Sequence, residues 1–162
     1  MSGPERKGVL FVCLGNICRS PVARVVFDHM IKSHGIAEQY DVDSCGTGGW
    51  HVGGPADPRS VLVAANYGLN LAHTARRFDV GADCDRFHFL IGMDRANVAT
   101  MLEVGAPREK VKLLRSFDPD LATRPEDELE VPDPYYGGPD GFEKMYSMIS
   151  RACEGLVAAT RR

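Results

Sequence analysis

A chain of 162 residues, 44% apolar and 25% charged, has the size and composition of one ordinary globular domain spanning residues 1–162. Its net charge of −3 provides no general attraction for nucleic acid or an anionic membrane surface, so any anion must be gripped by local geometry. Five irregularly spaced cysteines argue against a disulfide framework, and without a Cys-x-x-Cys pair or a His-Glu-x-x-His run nothing calls for a metal or other cofactor.

The opening "MSGPERKG" is followed only by the short apolar run "VLFVCL", too brief for a signal segment or a membrane span, so the protein is expected in the cytoplasm. "VLFVC" predicts a buried strand over residues 9–13. Ser20 is expected to cap, and Pro21 to begin, a helix that continues through "VARVVFDHMIKSHG" to Gly35. "YDVDSC" predicts a second strand over 40–45, and the glycines of "GTGGWHVGGPAD" predict an irregular loop. Asp57 and Pro58 start a helix over "RSVLVAANY", closed by Gly68.

"RFHFLIGM" predicts a third strand over 86–93, and Asp94 caps a helix over 95–105. "KVKLL" predicts a short last strand, followed by a long acidic, proline-bearing loop over 115–139. Asp140 is expected to cap a final amphipathic helix to the C-terminus. Strand and helix alternate, which favours an α/β fold with a parallel sheet covered on both faces.

The first strand-to-helix turn, "CLGNICRS", lies where parallel sheets bind ligands, outside the carboxyl ends of the strands. Its amide N–H groups can wrap an anion, with Gly15 expected to supply a positive φ. Arg19 offers a planar fork for two phosphate oxygens, while the helix dipole and Arg19 together favour a thiolate at Cys13. The loop lacks the lysine of a Walker motif and the glycines of a dinucleotide fingerprint.

"CLGNICRS", together with "SCGTGGWHVG", the "MD" after the third strand and "DPYYG", resembles the low-molecular-weight protein tyrosine phosphatases over essentially the whole chain. The resemblance implies the phosphotyrosine phosphatase I-like fold, with four strands in the order 2-1-3-4, and metal-independent hydrolysis of protein phosphotyrosine. It implies that Cys13 attacks phosphorus to form a phosphocysteine, and that Arg19 and the amides of Leu14, Gly15, Asn16, Ile17 and Cys18 hold the equatorial oxygens. Ser20 is implied to hydrogen-bond the Cys13 sulfur, and Asn16 to hold the loop in a network with Ser44 and His73. Asp94 is similar to the family aspartate that supports the loop, although it also reads as a plain helix cap.

A phenolate leaving group calls for a proton donor. Three Asp-Pro pairs compete, at Asp57, Asp118 and Asp133, and composition does not rank them. The resemblance selects Asp133, held between Pro132 and Pro134 and followed by Tyr135 and Tyr136. Trp50, Tyr135 and Tyr136 are candidate walls for an aromatic ring, and His51 for the same rim. The implied partners are tyrosine-phosphorylated proteins, with a tyrosine kinase as a candidate partner at Tyr135 or Tyr136, and neither nucleic acid nor membrane.

Cys18 shares the loop with Cys13 and is a candidate to form a reversible protective disulfide with it; Cys45, Cys84 and Cys153 read as packing residues. Two other enzyme classes share the loop. Arsenate reductases need additional resolving cysteines, for which Cys84 alone is in a plausible region. Phosphoarginine phosphatases carry threonine where this chain has Ile17. A silent phosphotyrosine-binding module is the remaining alternative, opposed by the intact Cys13, Arg19 and Asp133.

Overall fold

Alternate side chains of the first strand enter two different cores. The computed structural model describes residues 5–135, 137–138 and 140–161. Strands β1 (Lys7–Cys13), β2 (Tyr40–Gly46), β3 (Phe89–Gly92) and β4 (Val111–Leu113) form one parallel sheet in the order β2-β1-β3-β4. Helices α1 (Arg19–Ser33), α2 (Pro58–Asn66), α3 (Val80–Arg86), α4 (Arg95–Glu103) and α5 (Asp140–Thr160) accompany the sheet. The α/β class, the parallel sheet and the strand order are those expected from the sequence and its family resemblance.

Val9, Phe11 and Cys13 point into a core shared with α1, α2 and α5, where Val22, Phe27, Ala64, Ile149 and Leu156 are buried. Leu10 and Val12 point the other way, into a core with Phe87, Leu90 and Met101. Period-two alternation thus gives β1 two apolar faces, and each large side chain buried this way contributes about 1.5–3 kcal/mol. Because β2 and β3 lie on opposite sides of β1, the chain reverses its winding at the carboxyl end of β1, and a crevice opens there.

Several boundaries differ from expectation. The first helix begins at Arg19 with Cys18 as its cap, so Ser20 lies inside the helix and does not cap it. Pro21 is tolerated at the third position because its missing N–H is among the first four that have no intrahelical acceptor. The third strand starts only at Phe89, because Asp79 accepts from the amides of Gly81 and Ala82 and caps α3, which runs to Arg86. Asp140 is the first residue of α5 rather than the residue before it. The acidic loop is wound into short 3-10 turns at Leu114–Phe117, Pro119–Leu121 and Glu126–Glu128.

One close approach ties this loop to the fold. A Cβ on Gly155 of α5 would lie 1.7 Å from the Phe117 carbonyl oxygen, so α5 meets the first of these turns backbone to backbone. From that anchored turn Arg115 reaches forward to the carbonyls of Glu128, at 3.3 Å, and Glu130, at 2.8 Å. The segment leading to Asp133 is therefore tied back to that anchored turn before it reaches the crevice.

Candidate active site

The turn between β1 and α1 is held from outside by its carbonyls. Those of Cys13 and Leu14 accept from the amides of Thr47 and Gly48, at 2.9 and 2.8 Å. The carbonyl of Asn16 accepts from His73 Nε2 at 2.6 Å, that of Ile17 from the Asp57 amide at 2.9 Å, and that of Cys18 from Ser60 Oγ at 3.3 Å. A trans peptide points its N–H opposite its C=O. Turning these five carbonyls outward therefore turns the amides of Leu14, Gly15, Ile17, Cys18 and Arg19 toward the concave side, a cradle for an anion at a helix N-terminus.

The left-handed residue of this cradle is Asn16, with φ 56°, and not Gly15. Asparagine tolerates that region better than most residues, and here its side chain is fully engaged. Nδ2 donates to Ser20 Oγ at 2.8 Å and to Ser44 Oγ at 3.1 Å, while Oδ1 accepts from the Arg76 amide at 2.9 Å. Gly15 serves space instead, since a Cβ there would lie 3.1 Å from the His51 ring. Asn16, Ser20 and Ser44 are buried behind the loop, and half-buried His73 braces it from the side.

Cys13 Sγ lies 3.0 Å from Ser20 Oγ. The serine oxygen already accepts from Asn16, so its single proton has two acceptors in reach, the sulfur and the Cys45 carbonyl at 3.3 Å. A thiolate is the stronger acceptor of the two. Cys18 is free, as are the other four cysteines; burial, then the charges of Asp57, Cys13 and Asp133, push its thiol up to about 12. It is thus a protonated thiol at neutral pH.

Arg19 is almost wholly buried. Its Nη1 donates to Asp94 Oδ2 at 2.6 Å and to the Val131 carbonyl at 3.0 Å, and its Nη2 lies 3.7 Å from Asp133 Oδ2. Burial opposes its charge, but facing Cys13, Asp94 and Asp133 outweigh it and raise the guanidinium pKa. Asp94 makes two kinds of contact, since Oδ1 caps α4 through the Asn97 amide while Oδ2 accepts from Arg19. The Val131 amide in turn donates to Met93 at 2.8 Å, joining the acid loop to the end of β3.

These groups open into a cavity of about 410 Å³, lined by Cys13, Leu14, Gly15, Ile17, Cys18 and Arg19 below, and by Trp50, His51, Asp133 and Tyr135 at the rim. Trp50 is 74% exposed, so it is a wall and not a core residue. Tyr136 lies outside the described residues. Among the described residues no cluster of three metal-ligating side chains occurs, and no helix is long and apolar enough to cross a membrane.

Sequence reasoning reaches His73 through the family resemblance but not Arg76, which bonds the Asn16 side chain. Arg76 pairs with Asp83 of α3 through two 3.0 Å bonds and with Asp43 at 3.2 Å, and Asp83 is itself buried. Two charged residues seven apart in a stretch without apolar period carry no local signal of this pairing. His73 is held below the ordinary imidazole pKa, first by burial and then by Arg24, against the hydrogen bond to Asn16. A depressed histidine pKa means that stability is fully present above the unfolded value of about 6.5 and is lost as pH falls through the folded value. The Tm is therefore expected to fall on acidification below about pH 6.5. In His73→Gln, which can still donate to Asn16 but does not titrate, that slope should be shallower. Identical slopes in the two proteins would remove His73 as the titrating group.

Residues 8–162 match the family model described as low molecular weight phosphotyrosine protein phosphatase. A low molecular weight protein-tyrosine-phosphatase of Streptomyces coelicolor is 45% identical, the match covering 94% of this chain and 93% of that protein. The human low molecular weight phosphotyrosine protein phosphatase is 35% identical, over 97% of this chain and 98% of its own. Among solved structures, a protein tyrosine phosphatase from Entamoeba histolytica with Hepes in its active site superposes with TM-score 0.85 at 35% identity, covering 94% of this chain and 95% of its own. A Drosophila arginine phosphatase superposes with TM-score 0.84 at 28% identity, covering 95% and 98%. With a match that starts inside β1 and runs to the last residue, the chain belongs to the low molecular weight phosphotyrosine protein phosphatase family.

Proposed function

We propose that the protein is a cytoplasmic, metal-independent phosphatase that hydrolyses phosphotyrosine on proteins through a phosphocysteine. The observation that carries this reading is the convergence of Cys13, buried Arg19 and Asp133 on one cavity, with Arg19 Nη2 3.7 Å from the Asp133 carboxylate. In the first step the Cys13 thiolate attacks phosphorus, the bond from phosphorus to the tyrosyl oxygen breaks, and Asp133 gives that oxygen its proton. In the second, the Asp133 carboxylate takes a proton from water, the water oxygen bonds to phosphorus, and the sulfur leaves as thiolate, eased by the Ser20 hydroxyl. Arg19 and the inward amides carry the charge of the equatorial oxygens in both, which is most of what phosphoryl transfer requires.

Exposed Trp50 and half-exposed Tyr135 flank the entrance and suit a flat ring, which supports an aryl phosphate over an alkyl one. Ile17 lines the same cavity without a hydroxyl to meet a guanidino group, which favours phosphotyrosine over phosphoarginine. Phosphate release from a phosphotyrosyl peptide in excess chelator, beside a phosphoarginine peptide, tests the assignment. Release from the tyrosyl peptide alone is expected; release from the arginine peptide alone would overturn the substrate. Asp133→Ala is expected to lower kcat by about 10²–10³-fold on a phenyl phosphate and far less on an ester with an acidic phenol. Equal losses on the two esters would remove Asp133 as the proton donor.

A further inference from the structure

Asp133 sits at the middle of a short span clamped at both ends. At the near end Val131 is held by Met93 and by Arg19 itself. The far end is Tyr135, whose amide donates to Asp133 Oδ1 at 3.0 Å. Its carbonyl accepts from Nη1 of Arg59 at 3.1 Å. Between the clamps, Pro132 and Pro134 restrict the backbone, so the placement of the two ends decides where the carboxyl points.

Arg59 stands outside the cavity, on the first turn of α2. It makes two parallel bonds to Asp57, Nε to Oδ1 at 3.0 Å and Nη2 to Oδ2 at 2.8 Å. Its guanidinium carbon lies 5.3 Å from the Tyr135 ring centroid and 4.6 Å from that of Phe142. Asp57 is buried, held below the ordinary carboxylate range first by Arg59, and its amide is the one bonded to the Ile17 carbonyl. Ser60, the residue after Arg59, bonds the Cys18 carbonyl. A continuous path therefore runs from the phosphate loop through Asp57 and Arg59 to Tyr135 and Asp133.

We infer that Arg59 is a positioning residue that sets the distance between the acid loop and the phosphate loop, through its fork on Asp57 and its bond to the Tyr135 carbonyl. This inference rests on the phosphatase reading above. An ordinary ion pair on a helix's first turn would add only to stability, and exposed pairs of that kind add little. Arg59 differs in that its planar group satisfies a buried carboxylate, a backbone carbonyl and two ring faces at once, which a lysine's point charge cannot do.

The test is a double-mutant cycle on two aryl phosphates, one with a poor and one with a good leaving group. Arg59→Ala is expected to lower kcat/KM by about tenfold on the poor leaving group and by less than about threefold on the good one. In an Asp133→Ala background it should have no further effect on either, because the group it places is gone. Equal losses on both esters, or the full loss repeated in the Asp133→Ala background, would overturn the inference. Arg59→Lys, which keeps the charge, should move the same ratios in the same direction by less, and serves if the alanine variant does not fold.

Amide hydrogen exchange supplies a readout independent of turnover. Exchange in the peptide spanning residues 131–135 should speed up in Arg59→Ala while the sheet stays protected; unchanged exchange would overturn the clamp. Should the parent protein hydrolyse neither ester, the phosphatase reading fails, and the exchange result still decides whether Arg59 holds the loop.

Discussion

Cys13→Ser is expected to lower turnover of a phosphotyrosyl peptide by at least about 10⁴-fold while inorganic phosphate continues to bind. The substitution keeps the shape of the side chain and removes its ionisation. A serine hydroxyl at this position needs a base to become a nucleophile, and Asp133 must enter the first step protonated to serve the leaving oxygen, so it is not available as that base. The His73 imidazole is committed to the Asn16 carbonyl, and Asp133 faces Arg19. The anion grip does not depend on the sulfur, because the inward amides are set by the outward carbonyls and Arg19 is set by Asp94 and Val131. Kinetics with a phosphotyrosyl peptide and calorimetric titration with phosphate check the two halves of this prediction separately. Turnover within tenfold of the parent would mean that a nucleophile other than Cys13 does the chemistry. Loss of phosphate binding with loss of turnover would mean that the thiolate also organises the loop.

The parts of this site that local sequence could disclose are those built from adjacent residues. An apolar run ending in Cys13, followed six residues later by Arg19, announces a strand, a turn and a helix, and the strand-to-helix turn is where the cavity lies. The inner shell of Asn16, Ser44 and His73 was reached only through the family resemblance, since its members lie 28 and 57 residues apart. Beyond that shell legibility ends. Arg59 reaches across 76 residues to Tyr135, and Arg76 binds Asp83 from a strap with no periodicity. Charged residues on exposed turns look alike in sequence whether they meet solvent or close a contact.

Two local misreadings have one cause. Local propensity places the positive φ at Gly15, because glycine is the residue most free to adopt it. Asn16 takes it instead because its Nδ2 donates to Ser20 and Ser44, its Oδ1 accepts from the Arg76 amide and its carbonyl is bonded to His73, which fixes both side chain and carbonyl. Local propensity likewise places Ser20 at the helix cap, because serine prefers caps. It lies two residues past the cap, inside the first turn, with its hydroxyl 3.0 Å from the Cys13 sulfur. In each case tertiary bonding at the site displaced the residue's ordinary preference, which is where disagreement between local propensity and structure is most informative about function.

Arg19→Lys is expected to cost about 10²–10³-fold in kcat/KM, equivalent to about 3–4 kcal/mol of transition-state stabilisation, although the charge is kept. The reason is the number of directions the guanidinium serves. Nη1 alone spends its donors on Asp94 and the Val131 carbonyl, and this fixes the plane of the group, leaving the rest of the fork for two phosphate oxygens. A lysine ammonium can approach Asp94 or the phosphate but cannot span both with parallel bonds. It would also drop the bond to the Val131 carbonyl and so loosen one of the two ends that hold Asp133, which should make the loss larger on poor leaving groups. Asp94 keeps its bond to the Asn97 amide, so α4 retains its cap and the variant should remain folded. The measurement is kcat/KM on good and poor leaving groups beside phosphate affinity and Tm. A loss below tenfold with weakened phosphate binding absent would show that Arg19 acts as a bare charge, and the planar-fork account of the site would fall with it.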